Sequence, residues 1–147
     1  MQLATGNATA NLTNIYGRAI LSARGHHFVV DSPPTLDGPN EEINPIDLLM
    51  SALASCGAFI CEAVAREENI ALQQVKVSVA GDFDPRGICG EPVESKIQAI
   101  RVKLMLQGPT EDEAKLISDS FTKRCPIYAT LIEAVPIDVQ IDLLSSD

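Results

Sequence analysis

Residues 44–68 read NPIDLLMSALASCGAFICEAVAREE, and this stretch decides the fold. Asn44 is a good N-cap, Pro45 suits the first helical position, and Asp47 falls in the first turn, where negative charge is favoured. The spacing predicts a helix from Pro45 that closes near Asn69, after Glu62, Arg66, Glu67 and Glu68. Positions 48–61 hold fourteen residues without a charge, a run too short for a membrane span. A helix uncharged on every face has to be covered on every face, and Ser51, Ala52, Ala54, Ser55, Gly57 and Ala58 let neighbours come close. One sheet covers only one side. A second layer is therefore expected, supplied by another subunit.

Working outward, short alternating apolar stretches fill residues 8–31 and predict an antiparallel meander of about three strands, with turns at Tyr16-Gly17 and Arg24-Gly25. Residues 32–45, SPPTLDGPNEEINP, carry four of the nine prolines and form a loop. After the helix, Val75, Val77 and Val79 alternate with polar or small residues. Ile100, Val102, Leu104 and Leu106 do the same, which makes two half-buried strands joined by a Gly/Pro-rich loop. Thr110 with Glu113 is a capping box that opens a second helix to about Lys123. Cys125-Pro126 starts a further helical piece, with the cysteine where an N-cap sits. Alternation over 137–143 predicts a last strand. The order of elements gives an α+β fold with mainly antiparallel sheet, in one domain over 1–147.

The chain has 147 residues, enough for one core, and an ordinary globular composition of 46% hydrophobic and 21% charged residues. A net charge of −9 sets a repulsive field against phosphate, so neither nucleic acid nor an anionic membrane is an expected partner. The opening MQLATGNATANLTN has no basic segment followed by an apolar core, and the expected compartment is the reducing cytoplasm. There a thiol is structural, metal-binding or reactive.

The four cysteines are Cys56, Cys61, Cys89 and Cys125. Cys56 and Cys61 share one helix at roughly 140° around its axis and cannot pair with each other. Cys61 reads as a small buried hydrophobe. Cys89, in a glycine-flanked loop, reads as an exposed thiol. His26 and His27 alternate across a strand, one on the surface and one facing the core, and the Cys and His spacing fits no familiar zinc site. At an ordinary pKa near 8.5 only about 3% of a thiol is ionised at pH 7, and a helix terminus worth ~0.3–1 kcal/mol does not change this much. A reactive Cys56, three turns inside its helix, needs a nearby cation, and an acid such as Asp47 could orient it.

The segment NPIDLLMSALASCGAFICEAVARE resembles the central helix of the OsmC/Ohr family, the osmotically inducible and organic hydroperoxide resistance proteins. Asn44 to Cys56 reproduces the family's spacing from Asn to Cys. The second family landmark, Cys-Pro followed by an apolar stretch and a Val-Pro-Ile strand start, stands here as CPIYATLIEAVPIDV from Cys125. The resemblance implies an intertwined homodimer, with mainly antiparallel sheets around a buried central helix and the active site at the subunit interface. It also implies a thiol peroxidase in oxidative or osmotic stress defence. In that chemistry Cys56 attacks the O–O bond of an organic hydroperoxide and becomes a sulfenic acid. Cys125 then resolves it as a disulfide, and a dithiol such as a dihydrolipoyl group restores both, with no metal or flavin cofactor.

Two positions depart from the family pattern. The peroxidase branch places Glu directly after Asn-Pro, but here that position is Ile46 and the acid is Asp47, rotated by about 100° around the helix. The family's early Arg falls near Ile15, and the nearest cations are Arg18 and Arg24, of which Arg18 is the candidate. These departures place the chain outside the best-characterised peroxidase branch. The candidate catalytic set is Cys56, Cys125, Arg18 and Asp47. The competing readings are a small-apolar-ligand binding protein with structural thiols, and a zinc or redox-sensing module.

Overall fold

A computed structural model describes residues 1–133 and 139–140 of the chain. Three strands, β1 (Thr9–Leu12), β2 (Arg18–Ala23) and β3 (His26–Asp31), form an antiparallel sheet in the order β1-β2-β3. Arg24 and Gly25 join β2 to β3 with φ of 51° and 80°. Two consecutive positive φ values are the tight hairpin turn that matches strand twist. That turn fixes the register, pairing Ser22 with His27 and Arg18 with Asp31.

Helix α1 spans Pro45–Glu67. It starts as its sequence demands: Asn44 Oδ1 accepts the Asp47 N–H at 3.0 Å, and Asp47 Oδ2 accepts the Asn44 N–H at 3.1 Å. Its buried residues Met50, Leu53, Gly57, Cys61 and Val64 recur at helical spacing and make one stripe. Beneath it lies the hairpin of β4 (Gln74–Asp82) and β5 (Ala99–Gln107), whose inner face pairs Val75 with Leu106, Val77 with Leu104 and Val79 with Val102. Helix α2 (Glu111–Arg124), opened by the Thr110–Glu113 capping box, adds Ile117 and Phe121 to the same core, and a short α3 (Pro126–Ile132) follows. A fully buried Leu, Ile or Phe contributes about 1.5–3 kcal/mol, so Leu53, Ile117 and Phe121 anchor this layer. At 23 residues α1 is by length and composition long and apolar enough to cross a bilayer, which the uncharged run alone understates. Its inner stripe packs on protein.

Among the described residues the inner face of α1 is covered, while Ser51 and Ser55 are exposed and Phe59 is 68% exposed. One expectation needs correction. Neither histidine faces a core, since both are exposed and His27 Nδ1 lies 2.6 Å from Ser22 Oγ. The strand expected over 137–143 lies, apart from Val139 and Gln140, outside the described residues.

Candidate redox site

Cys56 sits on α1 and Cys125 at the junction of α2 and α3, and the fold brings their sulfurs to 2.8 Å. Both are free thiols. A disulfide at ~2.05 Å needs less than about 1 Å of further approach.

The junction is built locally. The Cys125 N–H closes α2 on the Phe121 carbonyl at 3.0 Å, and Pro126 takes the first position of α3, where no N–H is needed. The Cys125 sulfur then accepts the Tyr128 N–H at 3.3 Å as the cap of α3. Phe121 and Tyr128 belong to the same cluster, with ring centroids 5.5 Å apart. Gly57, next to Cys56, lets α1 close on this corner, because a Cβ there would stand 3.4 Å from Phe121 and from Val77. Cys125 is 1% exposed and packed with Leu53 and Phe121, whereas Cys56 is half-buried.

Among the described residues, the surroundings of Cys56 disfavour its thiolate. Burial first, and then Cys125 beside it, push its thiol up to about 11, against a smaller opposing effect of the Ile127 backbone N–H. At pH 7 a group with that value is ionised in roughly one molecule in ten thousand. Burial also pushes up the Cys61 thiol, which is packed with Val64, Ala65 and Ile117 as a small hydrophobe. Cys89 is exposed and donates to the Thr35 carbonyl at 3.3 Å. Among the described residues no three His, Cys, Asp or Glu side chains gather as a metal site.

Arg18 and Asp47 lie in other arrangements. Asp47 is engaged in the α1 capping box. Arg18 grips Asp31 through Nε at 2.7 Å and Nη2 at 2.9 Å, and Nη2 also donates to Glu41 at 2.7 Å. Asp31 is 1% exposed, and its Oδ2 accepts the Glu41 and Glu42 N–H groups at 3.0 Å each. Arg18 first, and then these amides, hold its carboxyl well below the usual range, and Asp31 and Glu41 in turn keep Arg18 charged. Sequence reasoning sought the acid on α1 and missed Asp31. Counting outward from the Arg24-Gly25 turn puts residue 31 opposite residue 18, so the signal was present.

The sequence matches the family of OsmC-like proteins over residues 38–140, from the loop before α1 through α3. The chain belongs to that family. Solved structures superpose on a larger share of the chain than the family match spans. An OsmC-like protein from Mycoplasma pneumoniae superposes with a TM-score of 0.75 at 21% identity, covering 89% of each chain. An organic hydroperoxide resistance protein OsmC from Legionella pneumophila gives 0.69 at 19% identity, over 89% of this chain and 91% of that one. An organic hydroperoxide resistance protein from Elizabethkingia anophelis gives 0.65 at 21% identity, over 87% and 88%. No curated protein sequence matches the chain. In this OsmC-like chain an apolar cavity of about 230 Å³, lined in part by Leu53, Ile100, Tyr128 and Leu131, adjoins the cluster that holds Cys125.

Proposed function

We propose that this OsmC-like protein is a cysteine-based peroxidase for organic hydroperoxides. The observation that carries this reading is the 2.8 Å approach of two thiols 69 residues apart in sequence. The Cys56 thiolate attacks one oxygen of ROOH, the O–O bond breaks, and the alkoxide takes a proton to leave as ROH. The thiol of Cys125 then attacks the Cys56 sulfenic acid, expelling water and forming the disulfide. A dithiol of the dihydrolipoyl kind takes up the oxidation and returns both thiols.

A thiol pushed up to about 11 needs a cation to react at neutral pH. In this reading a second copy of the chain supplies it. Among the described residues nothing covers the outer face of α1 or the apolar face of the first sheet, where Leu12 is 86% and Phe28 40% exposed. A homodimer covers both and brings a guanidinium, Arg18 being the candidate, to Cys56. The proposal places this chemistry in the reducing cytoplasm, in oxidative stress defence. The test is consumption of cumene hydroperoxide against hydrogen peroxide with dihydrolipoamide as donor. Faster turnover of cumene hydroperoxide is expected, and no consumption together with no mass change at Cys56 would sink the reading.

A second reading is favoured by the un-ionised Cys56 and the neighbouring apolar cavity. In it the protein binds a small apolar ligand and the thiols pack. Saturable binding of an oxidised fatty acid, with unchanged thiols, is its signature.

A further inference from the structure

The two sulfurs differ in one respect that governs how an oxidised pair is reduced. Thiol–disulfide exchange proceeds by attack of a thiolate on one sulfur while the other leaves, and access decides which sulfur is attacked. The amides of the first turn of α3 do not choose the leaving sulfur, because they serve both: the Ile127 amide acts on Cys56 and the Tyr128 amide on Cys125. Access does choose. Cys125 is already 1% exposed in the single chain, with Leu53 and Phe121 packed on it, and a second copy can only cover it further, while Cys56 is half-buried.

We propose that the reducing thiolate enters at the sulfur of Cys56 and expels Cys125, so that the first mixed disulfide with a slender dithiol is made by Cys56. The new S–S bond joins the reductant to Cys56, and the electron pair of the broken bond stays on Cys125, which takes a proton. The reductant's second thiolate then attacks its own sulfur in the mixed disulfide, closes a cyclic disulfide and releases Cys56. One dithiol is oxidised and one protein disulfide reduced. The inference rests on the reading of Cys56 and Cys125 as a redox pair, but not on which oxidant formed the bond.

The full chain is oxidised with diamide, and a loss of two hydrogens with a linked 56–125 peptide verifies the pair. Failure at this step overturns the redox-pair reading itself. The oxidised protein is then mixed briefly with glutathione, quenched with excess N-ethylmaleimide and mapped. Glutathione on Cys56 with maleimide on Cys125 is expected, at least about tenfold over the reverse. Equal or reversed labelling, or a disulfide that no dithiol reduces, overturns the inference. As a second measurement, Cys125→Ser and Cys56→Ser are treated with an aromatic disulfide reagent. The Cys56 thiol in the first is expected to react at least about tenfold faster than the Cys125 thiol in the second.

Discussion

The sulfur that caps α3 is also the sulfur that meets Cys56: Cys125 Sγ accepts the Tyr128 N–H at 3.3 Å and lies 2.8 Å from Cys56 Sγ. Structure and proposed chemistry thus share one atom, and substitutions can separate them. Serine is a strong N-cap, so Cys125→Ser retains the cap while it removes the thiol. Its stability is expected within about 1 kcal/mol of wild type, and Cys125→Ala is expected to lose a further ~0.5–2 kcal/mol. Both variants should accumulate sulfenic acid at Cys56 under cumene hydroperoxide, trapped with dimedone and read by mass. Urea denaturation supplies the stabilities, and equal losses in the two variants would remove the capping role.

The buried pair of Arg18 and Asp31 makes a prediction about acid. Asp31 has its folded pKa far below its ordinary value of 3.8. Its contribution to stability is therefore fully present above the unfolded pKa. As pH falls through 3.8 the unfolded chain binds a proton at this site that the folded chain still refuses, so stability declines until the folded pKa is passed. As pH falls from 4.5 to 2, the extra proton that wild type takes up on unfolding relative to Asp31→Asn is expected to grow from a small fraction to nearly one. Denaturation midpoints across that range give the difference, and identical slopes would show that Asp31 titrates normally.

Legibility in the sequence followed the range of the interactions. The Asn44 cap and the capping box of Thr110 and Glu113 span three residues each and form as the sequence predicts, and Asp47, read as a first-turn acid, completes a second box with Asn44. Alternation in β4 and β5 is equally local, and Cys61 and Cys89 were sorted by their immediate neighbours. The Arg18 to Asp31 pair needed the hairpin register, which one turn specifies but which the search for an acid on α1 overlooked. The proximity of Cys56 and Cys125 depends on Gly57, Phe121 and Val77 packing across three elements, and only the resemblance pointed to it from sequence. The expectation of a core-facing histidine misread an alternating strand that no layer covers among the described residues.

Two glycines with positive φ are expected to respond differently to alanine. At Gly25 φ is 80° and a Cβ meets nothing within 4 Å, so Gly25→Ala carries only the left-handed penalty of ~1–2 kcal/mol. At Gly108, between β5 and α2, φ is 112° and a Cβ would fall on the Ala71 carbonyl oxygen. Backbone has to move there, and Gly108→Ala is expected to cost about 3 kcal/mol or more. Urea titration of the two variants side by side checks the order, which reverses only if the chain before β4 yields without cost.

The uncovered face of α1 links assembly to thiol chemistry. Phe59 is 68% exposed there, one helical turn from Ser55 and close in sequence to Cys56. If a second copy covers this face, each buried phenylalanine contributes about 1.5–3 kcal/mol, and symmetry doubles the effect of any change. Phe59→Glu is therefore expected to convert a particle of twice the chain mass into one of a single chain, by light scattering. Cys56 reactivity should follow. In the single chain its thiol stands near 11, so the alkylation rate of Phe59→Glu is expected to keep rising well past pH 9. Wild type, with a cation from the second copy, is expected to reach its plateau at a lower pH. A monomeric wild type, or a dimer whose Cys56 titrates no lower than in the variant, would show that self-association does not activate the thiol.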